Sequence, residues 1–220
     1  MTLDTSDEPV ARTPLSPTRI ARAAVALANE EGIGAVTMRG VAHRLEVEAM
    51  SLYHHVKNKE ALLDGMVDVI VSEITDELGD VGPAADWKER LRTRMLTARR
   101  VMLRHPWAPA VIETRTVMSP RLLLYFEGIL ATMREGGFSY DLAHHALHAL
   151  GSRALGFNQE LFAPDESAPP SDEGLRLADV ADQIPNLVGM LAEIAHDDPD
   201  STLGWCDDQT EFEFGLDLLL

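Results

Sequence analysis

The chain has 220 residues, 45% of them apolar, and a net charge of −17 from 36 Asp/Glu against 19 Lys/Arg. That composition can fill one large helical domain, or a small domain beside a larger one. No apolar run reaches the roughly 18 residues a membrane helix needs; the single Cys206 excludes an internal disulfide and fits a cytoplasmic setting.

Residues 1–15 read as a polar, acidic, disordered arm without the apolar stretch of a secretory leader. Ser16-Pro17 is a helix start, with Ser at the N-cap and Pro in the first turn. Ile20, Ala24, Leu27 and Ala28 make its apolar stripe, and Gly32-Ile33-Gly34 stops it. Two short helices follow. Val41 and Leu45 share a face of the first; Leu52 and Val56 share a face of the second. Asn58 caps a fourth helix whose apolar positions run from Leu62 to Leu78, ending at Gly79. Residues 80–86 read as a loop and 87–104 as a helix, broken by His105-Pro106. Residues 107–114 form a short helix or turn. Ser119-Pro120 repeats the Ser-Pro start, and 121–135 is helical. A long helix is expected over 142–162, an acidic loop over 164–174, a helix kinked near Pro185 over 178–195, and a last helix over 202–220. Strand-like alternation is absent from the sequence, so the fold class is all-α.

The two short helices carry the chemistry. Opposite their apolar seam stand Thr37, Arg39, Ser51, Tyr53, His54, His55 and Lys59, groups that meet phosphates and base edges. This is the pattern of a helix-turn-helix DNA reader. Ala49, Met50 and Ser51 open the second helix and are placed to approach bases, Met50 suiting a thymine methyl. The charge agrees. Residues 12–60 hold seven Lys/Arg against five Asp/Glu, whereas residues 67–220 hold 12 against 27. An acidic body leaves one face able to approach DNA and opposes broad non-specific binding.

Elsewhere, His144, His145 and His148 are the densest group of possible ligands. His144 and His148 are i, i+4, but no His-Glu-x-x-His arrangement or nearby Cys completes a metal site. No metal, cofactor or catalytic residue is expected: Ser152 lies inside a helix, and no Gly-rich phosphate loop is present. A mostly apolar cavity is the better reading, lined by Met95, Trp107, Val111, Ile112, Phe126 and Met133, with His145, His148 and Ser152 as polar anchors. Trp107 is expected to lie far from the DNA reader.

Thr37-Met38-Arg39, Leu52-Tyr53-His54-His55-Val56 and Lys57-Asn58-Lys59-Glu60-Ala61-Leu62-Leu63 closely resemble the TetR-type transcriptional regulators, in the branch that includes the tetracycline repressor. The detailed resemblance covers about residues 16–66. Glu46 stands where the family usually has Gly, so it is expected to accept φ > 0 at a cost of about 1 kcal/mol or more. Met50 replaces a polar residue or Pro. Ile112 stands where that branch has a His that helps hold the drug's metal ion, which disfavours a magnesium–tetracycline ligand.

The resemblance implies a disordered arm (1–15), a three-helix helix-turn-helix DNA-binding domain (16–66) and a larger helical ligand-binding and dimerisation domain (67–220). It implies a homodimeric repressor of a palindromic double-stranded operator, released by a small hydrophobic effector. The DNA contacts are Thr37, Arg39, Ala49, Met50, Ser51, Tyr53, His54 and Lys59. The alternatives are a helical small-molecule-binding enzyme, or an interaction module with a vestigial helix-turn-helix.

Overall fold

The computed structural model describes residues 14–79, 86–156, 181–186, 188–189 and 208–220. The regular secondary structure of these residues is helical: α1 (Pro17–Glu31), α2 (Met38–Arg44), α3 (Ala49–Tyr53), α4 (Lys59–Leu78), α5 (Trp87–Arg104), α6 (Ala108–Glu113), α7 (Pro120–Glu135), α8 (Tyr140–Gly156) and α9 (Asp208–Leu219), with 3-10 turns at Ile33–Ala35 and Ala181–Gln183. The arm at residues 1–13, most of the loop at 80–86, the acidic loop at 164–174 and Cys206 lie outside the described residues. So do parts of the helices expected over 142–162, 178–195 and 202–220.

Two compact units emerge. The first comprises Met1–Asp76 and Arg104–Tyr125; the second comprises Glu77–Leu103 and Phe126–Leu220.

In the first unit, local chemistry sets the helix ends. Ser16 Oγ accepts the Arg19 N–H at 3.2 Å, and Pro17 opens α1 without needing a donor. Gly32, at φ 82°, ends α1 and returns its N–H to the Ala28 carbonyl. Thr37 caps α2 and Asn58 caps α4. Helix α1 packs on α2, and α2 on α3. Ile20, Val41, Leu52, Leu62, Met66 and Ile70 are fully buried, each contributing about 1.5–3 kcal/mol of burial free energy. Glu46, between α2 and α3, takes φ 55°, as the missing turn glycine implies. Gly40 cannot be replaced without movement, because a Cβ there would sit 2.7 Å from the Ala35 carbonyl oxygen.

Residues 104–125 complete this unit. Trp107, Ala108 and Val111 are buried. Three carboxylates spaced i, i+4 along α4 then hold the chain that follows. Arg115 reaches Glu60 at 2.9 Å and Asp64 at 3.2 Å, and Ser119 donates to Asp68 while also capping α7 through the Leu122 N–H.

In the second unit α8 packs on α9. Phe212 and Leu216 are fully buried there, and the Arg99 guanidinium lies 4.5 Å from the Phe212 ring centre. Arg92 clamps α9 through Glu213 at 2.6 Å and Asp217 at 2.7 Å. Trp87 meets Phe138 edge to face, ring centres 5.1 Å apart.

Candidate nucleic-acid interface

The apolar seam of α2 and α3 fixes which side chains are left outside. Val41, Leu52 and Val56 are buried, so the opposite faces turn outward. Met50 is 69% exposed and Tyr53 44% exposed. Arg39, His54, His55, Lys57 and Lys59 are exposed, and Ala49 and Ser51 half-buried. All eight residues expected at DNA therefore lie on the first unit, within or at the ends of α2, α3 and the first turn of α4. Thr37 has a structural duty as well: its Oγ1 accepts the Gly40 N–H at 2.9 Å, which fixes the start of α2.

Charge on this surface is selectively available. Arg44 is held by Glu30 in a two-pronged pair, both contacts 2.6 Å, and the hydrogen bond from Arg44 keeps the Glu30 carboxyl below the usual carboxylate range. Arg39, Lys57 and Lys59 have no ion pair among the described residues. These three cations, with Tyr53 and His54 as hydrogen-bonding partners, can neutralise phosphates. Met50 adds an apolar, adaptable contact for base edges.

The residues expected around an effector fall in both units. Trp107, Val111 and Ile112 belong to the first; Met95, Phe126, Met133, His145, His148 and Ser152 belong to the second. Met95 and Met133 are buried and Phe126 half-buried, whereas His145, His148 and Ser152 are exposed on α8. The rings of His144 and His148 lie 4.6 Å apart, and His145 stands 3.9 Å from Asp141. No group of three or more metal-ligating side chains occurs among the described residues.

One expectation is overturned. Trp107 is not remote from the DNA reader. Its Nε1–H donates to Asn29 Oδ1 of α1 at 2.7 Å. His105 joins the same group, with Nδ1 3.0 Å from Asn29 Oδ1 and Nε2 2.9 Å from Glu73 Oε2. Asn29, Glu73 and Arg115 were not singled out from sequence, because nothing local to them signals partners so distant along the chain. No helix among the described residues is long and apolar enough to cross a membrane.

Comparison with known proteins agrees with this geometry. Residues 20–66 match the family described as bacterial regulatory proteins, tetR family, and residues 82–220 match the tetracyclin repressor-like, C-terminal domain. An HTH-type transcriptional regulator of Saccharopolyspora erythraea is 36% identical over 124 residues, covering 56% of this chain and 51% of that protein. The chain thus spans about half the length of the first curated relatives it matches. The class D tetracycline repressor of Escherichia coli is 32% identical, covering 73% of this chain and 78% of that protein. The crystal structure of ActR from Streptomyces coelicolor in complex with actinorhodin superposes with a TM-score of 0.70 at 26% identity, covering 94% of this chain and 95% of that one.

Proposed function

On the premise that this chain belongs to the tetR family of bacterial regulatory proteins, we propose that it is a ligand-responsive transcriptional repressor that binds a palindromic operator as a cytoplasmic homodimer. The observation that carries the reading is the outward face of α2 and α3, with Arg39, Met50, Tyr53, His54 and Lys59 exposed opposite the buried side chains of Val41, Leu52 and Val56. An enzyme has no need of such a face.

The mechanism follows from the physical chemistry. Arg39 and Lys59 bring the reader to the backbone, with Thr37 at the start of α2, where free N–H groups also favour anions. Ala49, Met50 and Ser51 select the sequence. Homodimerisation is supported by apolar side chains left in solvent on two packed helices: Leu142 on α8, and Phe214 and Leu218 on α9. A second copy covering this face sets the spacing of two readers, and a two-fold assembly reads a two-fold site.

The effector is a largely hydrophobic molecule bound among Met95, Phe126 and Met133 of the second unit, with His145, His148 and Ser152 of the same unit setting its polar selectivity. ActR, solved in complex with actinorhodin, supports a small-molecule effector. Weakening operator binding 100-fold needs a differential affinity of about 2.7 kcal/mol between the two arrangements of the protein. The test is a gel shift with the DNA upstream of the protein's own gene, repeated with candidate hydrophobic metabolites. A specific shift that a metabolite reverses is expected; absence of any shift at micromolar protein and low salt would refute the reading.

A further inference from the structure

The first unit contains a half-open cleft of about 160 Å³ between α1 and α4. Its floor is apolar: Ala21, Leu62 and Val69 are buried there. Gly65 keeps the helices close, since a Cβ at that position would lie 3.3 Å from the Ala21 Cβ. A recess of this volume is large enough for a benzene-sized body.

The rim is charged. Arg22 of α1 and Arg121 of α7 both line the cleft. Neither has an ion pair or hydrogen bond with another described residue. Arg44, Arg90, Arg92, Arg100, Arg104 and Arg115 are each paired with carboxylates. Arg22 and Arg121 thus join Arg39 as arginines without an ion pair among the described residues, and these two flank one recess. The one carboxylate in the lining, Asp68, is already engaged by the Ser119 hydroxyl. The rim therefore offers donors to an anion and little competition for them.

We propose that this cleft is a binding site for a small organic monocarboxylate, its benzene-sized apolar body seated between α1 and α4 and its carboxylate held by Arg22 and Arg121. A planar guanidinium fork matches a carboxylate with two parallel hydrogen bonds, which a point-charge ammonium cannot supply. Because α1 and α4 are both in the unit that carries the reader, the site is distinct from the effector site placed in the second unit and stands whether or not that site exists.

The test is an amide-resolved NMR titration of the full chain at constant ionic strength, with benzoate, its neutral counterpart benzamide, and inorganic phosphate as probes. Benzoate is expected to shift the Gly65 and Val69 amides saturably below about 20 mM, with benzamide and phosphate each about tenfold weaker. Arg22→Ala and Arg121→Ala should each weaken benzoate about tenfold, and Arg22→Lys should restore only part of the loss. Unchanged spectra away from the cleft establish that the variants fold. Four results overturn the proposal: no saturable shift with benzoate; equal binding of benzamide, which removes the guanidinium role; equal binding of phosphate, which removes the apolar seat; or arginine variants that bind as wild type.

Discussion

The indole of Trp107 and the side chain of Asn29 share a hydrogen bond of 2.7 Å although 78 residues separate them. An indole N–H can only donate, so this contact fixes Asn29 Oδ1 as acceptor. His105 Nδ1, 3.0 Å from the same oxygen, then donates to it. Asn29→Ala removes the acceptor from both rings and leaves two buried donors unsatisfied. The expected cost is about 2–4 kcal/mol, read as a fall in the denaturation midpoint at unchanged slope. A loss below about 0.5 kcal/mol would mean that water replaces Asn29 without penalty.

For the DNA-facing surface, Lys59→Ala should weaken binding to all sequences and lower the salt slope by about one unit. Met50→Gln should instead change the preferred operator in a binding-site selection while leaving the slope alone. An identical selected motif would show that Met50 does not touch bases.

Glu46 sits at φ 55°, where an L side chain crowds its own carbonyl. Glu46→Gly should raise stability by up to about 1 kcal/mol, relief of strain being partly offset by a more flexible unfolded chain. Urea denaturation measures it, and a destabilised variant would mean that the glutamate makes a compensating contact.

These cases show what sequence alone can carry. Ser16 and Asn58 were legible as caps because capping is a relation over three residues. Val41, Leu52 and Val56 were legible as core because helical period is also local. His105-Pro106 could be read only as a helix break. Its partners Asn29 and Glu73 lie 76 and 32 residues away, and no periodicity reaches so far. The placement of Trp107 failed for the same reason: a tryptophan in an apolar run looks like cavity lining wherever its indole finds an acceptor.

The proposed dimer face can be broken by charge. Phe214 is 63% exposed and Leu218 72% exposed on α9. Changing both to Glu places like charges opposite their copies across a two-fold axis, in an interface expected to bury about 2,000 Å². Light scattering should then find monomer at micromolar concentration, with helicity retained; a dimer that persists would locate the interface elsewhere.

Acid should loosen α9. Hydrogen bonds from Gln209 and from Arg92 hold the Glu213 carboxyl below its ordinary value of 4.5. A carboxylate lowered in the folded state stabilises fully above its unfolded pKa, and this contribution fades as pH falls through the folded one. Arg92 stays charged throughout, its own pKa raised by Asp217 and Glu213. Glu213→Gln should therefore be less stable than wild type at pH 7 and approach it below about pH 4. A constant gap across that range would show that protonation of Glu213 is not coupled to folding.

The inclusion of residues 104–125 in the reader's unit bears on how such regulators can be recombined. A chimera that joins this reader to another effector domain at residue 66 would part Asn29 from Trp107 and Asp64 from Arg115. The transplanted reader would keep its recognition face but lose the buttress behind it, unless the donor domain supplies an equivalent tryptophan and arginine. Exchange of specificities by recombination is therefore easier through the few exposed positions of α3 than through whole domains.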